Sequence, residues 1–129
     1  MADRKRVLLV EDDVDFLASV RKILERGLGV EIDVAYDGVE GGAKVAANPP
    51  DLIVLDVMMP NKDGYRLCAE LKADDRFKRI PVILLTAVAD HIPTTTYSQY
   101  DGMATEAEEY VPKPVEPEEL LRIVKRFLD

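Results

Sequence analysis

Residues 52–56 read Leu52-Ile53-Val54-Leu55-Asp56, an unbroken run of branched apolar side chains that ends in a carboxylate. Val7-Leu8-Leu9-Val10 and Val82-Ile83-Leu84-Leu85 repeat the pattern, closed by Glu11-Asp12-Asp13 and by Thr86. A strand with one wet face alternates polar and apolar residues, whereas a strand covered on both faces does not. These runs therefore predict a parallel sheet sandwiched between helices. Two weaker strands complete a set of five. Glu31 to Ala35 alternates like an edge strand, and Tyr110-Val111 is short and stops at Pro112.

Between the runs the apolar period becomes helical. Phe16, Val20, Ile23 and Leu24 form one stripe of a helix ending near Gly27 and Gly29. Val39, Ala43 and Ala46 repeat the stripe more weakly; Gly41 and Gly42 there each cost about 1 kcal/mol against Ala, so that helix must lean on tertiary packing. Leu67, Cys68 and Leu71 share one side of Tyr65 to Lys72, which makes Cys68 a small core residue. The last helix is expected to begin near Pro117, with Glu118 and Glu119 in its first turn, and to bury Leu120, Leu121, Val124, Phe127 and Leu128. Ala89 to Glu109 carries Thr94-Thr95-Thr96, Ser98 and Asp101-Gly102 but few large aliphatics. The fourth helix that the alternation calls for is therefore atypical, and this stretch is expected to be the least regular. With right-handed crossovers, the order gives an α/β fold: a doubly wound, five-stranded parallel sheet with helices on both faces, as a single domain over residues 1–129.

Composition narrows the function. Acidic residues outnumber basic ones 25 to 17, a net charge of −8, which argues against direct nucleic-acid binding because phosphate neutralisation needs a basic face. One cysteine, Cys68, excludes a disulfide scaffold and a cysteine-based zinc site, and fits a reducing cytoplasm. His91 is the single histidine, so no mechanism using two imidazoles is available. The apolar run Val7–Val10 is too short for a secretory or membrane segment, which need about 7–15 and about 20 apolar residues. A cytoplasmic protein with no membrane partner is expected.

In an open α/β sheet, ligands bind beyond the carboxyl ends of the strands. Here those ends deliver Glu11, Asp12, Asp13, Asp56, Thr86 and Lys113. Each alone is unremarkable surface chemistry; their placement after separate buried strands gathers them on one rim. Carboxylates about 5 Å apart at an effective dielectric near 20 repel by roughly 3 kcal/mol per pair, so a proton or a cation is required. All candidate ligands are oxygens, which points to a hard ion, Mg²⁺ or Mn²⁺ in its place, and to phosphoryl chemistry. Thr86 can donate to a phosphoryl oxygen, and Lys113 can neutralise another.

Five segments then carry a family resemblance. They are Val7-Leu8-Leu9-Val10-Glu11-Asp12-Asp13, Ala35-Tyr36-Asp37-Gly38, Pro50 to Pro60 with Asp63-Gly64, Pro81-Val82-Ile83-Leu84-Leu85-Thr86-Ala87, and Tyr110-Val111-Pro112-Lys113-Pro114. In order and spacing, from about residue 6 to 128, the chain resembles the receiver domain of bacterial two-component response regulators. The resemblance implies the flavodoxin-like strand order 2-1-3-4-5 and a set of roles. Asp56 would be the phosphoacceptor. Asp13 and Asp56 would bind Mg²⁺ directly with the backbone carbonyl of Met58, and Asp12 would act through water. Thr86 and Lys113 would contact the phosphoryl oxygens beside an uncrowded Ala87, and Thr86 with Tyr110 would form the switch. A cis Lys113–Pro114 bond is implied too. Catalysis would be confined to the chain's own aspartyl phosphorylation and dephosphorylation. The implied partners are a sensor histidine kinase or histidine phosphotransfer protein upstream and a protein target or output domain downstream, with dimerisation on phosphorylation as one route to output. Between Thr86 and Lys113 the chain departs from the family: the stretch is longer, and Met103 to Tyr110 replaces the usual lead into the last strand.

Other readings fit less well. A degenerate receiver that only binds partners has no physical need of this acid cluster. A cofactor binder of the same topology needs a glycine- and hydroxyl-rich phosphate loop after the first strand, where three acids stand. An aspartyl-phosphate hydrolase would need a second acid two residues after Asp56, and Met58 is there.

Overall fold

The three apolar runs form the middle of the sheet. The computed structural model describes residues 4–59, 63–86 and 107–129. In chain order these form β1 (Arg6–Val10), α1 (Val14–Leu28), β2 (Glu31–Ala35), α2 (Gly38–Ala47), β3 (Leu52–Asp56), α3 (Gly64–Lys72), β4 (Val82–Thr86), β5 (Glu109–Pro112) and α4 (Pro117–Leu128). The strands are all parallel and lie in the order β2-β1-β3-β4-β5. Every residue of β3 and β4 is buried, as strands covered on both faces must be, and the edge strand β2 is largely half-exposed.

Alternate residues of each strand feed two separate cores. Val7, Leu9, Val54, Ile83, Leu85 and Val111 pack against Val20 and Leu24 of α1 and Leu120, Ile123 and Val124 of α4. Leu8, Val10, Ile53, Leu55 and Leu84 pack on the opposite face against Val45 of α2 and Leu67, Cys68 and Leu71 of α3. Cys68 is a fully buried core residue. On α1, Leu17 joins Val20 and Leu24 in full burial, while Phe16 and Ile23 lie at the margin. On α4 the buried set is Leu120, Ile123 and Val124, with Leu121, Phe127 and Leu128 half-covered.

On α2 the expected stripe is corrected. Val39, Ala43 and Ala46 face solvent, and the buried residues are Gly38, Gly41 and Val45. The reason is a close approach to the sheet. A Cβ on Gly41 would lie 3.1 Å from both methyls of Val10 and 3.2 Å from Leu67 Cδ2. A glycine that weakens the isolated helix is thus what lets the helix seat on β1.

α1 closes with Gly29 at φ 64°, the left-handed conformation in which glycine carries no Cβ penalty. The Lys113–Pro114 bond is cis. Among the described residues no helix is long and apolar enough to cross a membrane. Ala87, His91 and the Ala89–Glu106 part of the atypical segment lie outside the described residues.

Gly41 and Gly42, adjacent in α2, give opposite expectations. A Cβ at Gly42 meets only Leu67 Cδ1, at 3.4 Å. Gly42→Ala should therefore stabilise the fold by up to about 1 kcal/mol through helix propensity. Gly41→Val should cost about 1–3 kcal/mol by overpacking. Urea denaturation of the two variants checks this; shifts of the same sign would contradict the packing described.

Candidate active site

The carboxyl ends of β1, β3, β4 and β5 converge, and the sheet register sets their heights. Val10 pairs with Leu55, Asp56 with Leu85, and Thr86 with Pro112. Three strands therefore end at nearly one level, and Asp56, Thr86 and Lys113 follow from that alignment. Hydrogen bonds continue the ladder past the strands: Val57 N donates to Leu85 O at 3.1 Å, and Lys113 N donates to Thr86 O at 2.7 Å.

Glu11, Asp12 and Asp56 each bring a carboxylate oxygen within 4.8 Å of the others. Glu11 and Asp56 are buried and Asp12 is exposed. Lys113 Nζ lies 2.8 Å from Asp56 Oδ1 and 3.6 Å from Glu11 Oε1, and 4.6 Å from the centre of the Phe16 ring. One ammonium thus faces three carboxylates, so the site carries surplus negative charge when all are ionised.

The energetics follow. Burial pushes the Glu11 carboxyl up to about 7; the Asp13 N–H opposes this, Asp56 adds to it, Lys113 opposes it, and Asp12 adds to it. Burial also raises Asp56, against the hydrogen bond and charge of Lys113. Burial works against the Lys113 ammonium, yet the hydrogen bond and charge of Asp56, with Glu11 behind them, hold its pKa above the usual lysine value. Desolvation dominates both carboxyls; a hydrogen bond is the next-largest influence on each, ahead of repulsion between the carboxylates.

Asp13 is not drawn into the cluster. Its Oδ1 accepts the N–H groups of Asp15 and Phe16, both at 3.1 Å, and so caps α1. Its own N–H donates to Glu11 Oε2 at 2.9 Å, which orients Glu11 toward Lys113. The acids beside Asp56 are therefore Glu11 and Asp12 rather than Asp12 and Asp13. Sequence reasoning placed Glu11 on the rim without giving it a role. The available signal was the N-cap: an aspartate immediately before an amphipathic helix turns a carboxylate oxygen onto that helix, as Asp13 Oδ1 does here.

Gly64 is a second residue whose part was missed. A Cβ there would collide with the Asp56 carbonyl oxygen and lie 2.9 Å from Val57 Cα, so the first turn of α3 rests directly on the backbone at the end of β3. Gly64 N donates to Val57 O at 2.9 Å, and Asp63 caps the same helix through Arg66 N at 2.8 Å. The Met58 side chain is exposed at the rim, and Tyr110 is half-buried against the core on the α2–α3 face.

Two buried atoms at this rim, Glu11 Oε1 and Thr86 Oγ1, make no hydrogen bond among the described residues. Buried polar atoms are rarely left so, and both lie in a site whose donors are all oxygens. An oxygen-only cluster with surplus negative charge fits a divalent hard cation. A buried hydroxyl without a partner among the described residues fits an incoming oxygen ligand such as a phosphoryl group.

The comparisons with known proteins agree with this geometry. A family model for the response regulator receiver domain matches residues 7–125. The probable transcriptional regulator ycf27 of Cyanophora paradoxa is 38% identical over 98% of this chain and 49% of its own length. The chain spans about half the length of the curated relatives it matches. Among solved structures, a putative response regulator from Chloroflexus aurantiacus is 32% identical with a TM-score of 0.84, covering 98% of each chain. The receiver domain of the sensor histidine kinase PA1611 from Pseudomonas aeruginosa, solved with magnesium coordinated in its active-site cleft, is 28% identical with a TM-score of 0.83, again over 98% of each chain. The fold and rim define a phosphoacceptor module of two-component signalling. The chain belongs to the response regulator receiver domain family.

The cap geometry gives a test of the cation site. Saturating Mg²⁺ at about 100 times its Kd should stabilise the protein by about 2.7 kcal/mol. Asp12→Asn and Asp56→Asn should abolish most of that gain. Asp13→Asn should keep it, because asparagine caps a helix as well as aspartate does. Thermal melts with and without Mg²⁺ read this out; loss of the response in Asp13→Asn alone would contradict the arrangement.

Proposed function

We propose that Asp56 accepts a phosphoryl group from a phosphohistidine on a sensor kinase or phosphotransfer protein. The observation that carries this reading is the 2.8 Å contact of Lys113 Nζ with Asp56 Oδ1, beside the buried Thr86 hydroxyl, which makes no hydrogen bond among the described residues. An Asp56 oxygen forms the new bond to phosphorus as the phosphorus–nitrogen bond breaks, and the imidazole leaves with the bonding pair. Lys113 is positioned to shift from the Asp56 carboxylate to a phosphoryl oxygen, where it holds the charge that develops in flight. The Thr86 hydroxyl donates to a second phosphoryl oxygen and so gains a partner that the described residues do not supply. Ala87, next along the chain, belongs to the same set through the family resemblance.

Glu11, Asp12 and Asp56, with the Met58 carbonyl, would hold Mg²⁺, or Mn²⁺ in its place; Asp13 is left out because the α1 cap engages it. When bound, the ion neutralises charge on the carboxylates and on the phosphoryl oxygens. Thr86 and Tyr110 are the proposed switch: engagement of the Thr86 hydroxyl draws it toward Asp56, and the half-buried Tyr110 ring follows on the neighbouring strand. The chain would act as one receiver domain in the cytoplasm, catalysing only its own phosphorylation and dephosphorylation. It would pass its state to a protein target or output domain, with dimerisation of the phosphorylated form as one route.

A small acyl-phosphate donor tests the acceptor. With Mg²⁺ present, intact-mass measurement should show one phosphoryl group on the wild type and none on Asp56→Asn. Equal labelling of the variant would move the acceptor elsewhere.

A further inference from the structure

β5 is an edge strand of four residues, and Val111 is its single fully buried side chain. Pro112 contributes no N–H to the ladder. Hydrophobic patterning therefore specifies the register of this strand weakly, yet a slip of one residue would move Lys113 by about 3.3 Å and turn its side chain to the other face. Something else must fix the strand that carries the lysine of the site.

The residue just before β5 supplies it. Glu108 N donates to Val82 O at 2.9 Å, and Glu108 Oε1 accepts Val82 N at 2.8 Å, so one residue grips both polar groups at the start of β4. Its other oxygen, Oε2, takes Lys72 Nζ at 2.8 Å. The Lys72 side chain is 5% exposed, and its ammonium also donates to Ile80 O at 2.8 Å and Lys78 O at 3.1 Å. Each of its three N–H groups has an acceptor, which is the condition for a buried ammonium to be tolerated.

We propose that Glu108 and Lys72 form a clasp that fixes β5 on β4 and thereby holds Lys113 over Asp56, a positioning pair for phosphoryl transfer. The clasp ties the C-terminus of α3, the loop before β4 and the start of β5 into one joint. At the far end of the strand, Lys113 N bonds Thr86 O, so β5 is pinned at both ends. The carboxylates Glu11, Asp12 and Asp56 follow β1 or end β3, and none belongs to β5. Loosening the clasp should therefore displace the lysine and leave the cation site intact, a separation that general loss of stability would not produce.

The consequence for chemistry rests on the reading of Asp56 as acceptor, and the experiment separates the two. Glu108→Ala, Glu108→Gln and Lys72→Met are compared with wild type in three measurements. These are the rate of labelling by a small acyl phosphate at saturating Mg²⁺, the Mg²⁺ affinity, and hydrogen exchange of the Lys113 amide. Glu108→Ala and Lys72→Met should label on the order of tenfold more slowly or worse, since a misplacement of about 1 Å can cost a hundredfold. Their Lys113 amides should exchange faster, with Mg²⁺ affinity no weaker than in the wild type, since the displaced ammonium no longer offsets the carboxylates. Glu108→Gln, which keeps one oxygen for Val82 N but turns an amide NH2 toward the Lys72 ammonium, should fall between Glu108→Ala and wild type in both rate and protection. Wild-type rate and protection in both Glu108→Ala and Lys72→Met would overturn the clasp, as would parallel loss of Mg²⁺ binding. If the wild type takes no label, the reading of Asp56 fails, and the exchange measurement still decides the clasp.

Discussion

One ammonium among three carboxylates is the constraint around which the domain is arranged. The parallel sheet is dry on both faces, so whatever follows its strands starts from a desolvated floor. Glu11 and Asp56 are buried there, and Asp12 comes within 4.8 Å of them, a spacing that costs roughly 3 kcal/mol per ionised pair at an effective dielectric of about 20. Lys113 offsets part of this through its 2.8 Å contact with Asp56. The rest is left as a standing demand for positive charge. An accumulation that would be a defect in an inert scaffold is, at a strand rim, a means of recruiting a cation and then a phosphoryl group.

Close backbone approaches hold this arrangement in place. Gly64 lets the first turn of α3 rest on the carbonyl of Asp56, and Gly41 lets α2 seat on Val10, the residue before Glu11. Aspartates open three of the helices: Asp13, Asp37 and Asp63 each accept N–H groups of the first turn. Acids near the site therefore do two kinds of work. Some satisfy helix ends, and others crowd the rim around Lys113. The division between Asp12 and Asp13, adjacent in sequence, shows how sharply local geometry separates the two.

The sheet was legible because burial on both faces leaves an unmistakable mark: four apolar residues in a row, three times, each closed by a polar residue. The rim was legible for the same reason, since strand ends fall where the runs stop. The division of labour among Glu11, Asp12 and Asp13 was harder to read, because composition does not say which acid caps the helix. The face of α2 was misread because apolar periodicity assigns no burial value to glycine, whereas Gly41 is buried through having no side chain. The tie between Lys72 and Glu108, 36 residues apart, leaves no periodic trace at all. Tertiary pairings of this kind become visible only once the strands are laid side by side.

The most direct test of this electrostatic account is a double-mutant cycle at Lys113 and Asp56, measured by urea denaturation of the metal-free protein. Lys113→Met should be destabilising in the wild-type background, where it leaves three carboxylates without their counter-charge. It should be markedly less so in Asp56→Asn, giving a coupling energy of about 1–3 kcal/mol. A coupling within about 0.5 kcal/mol of zero, the range of independent sites, would contradict the account.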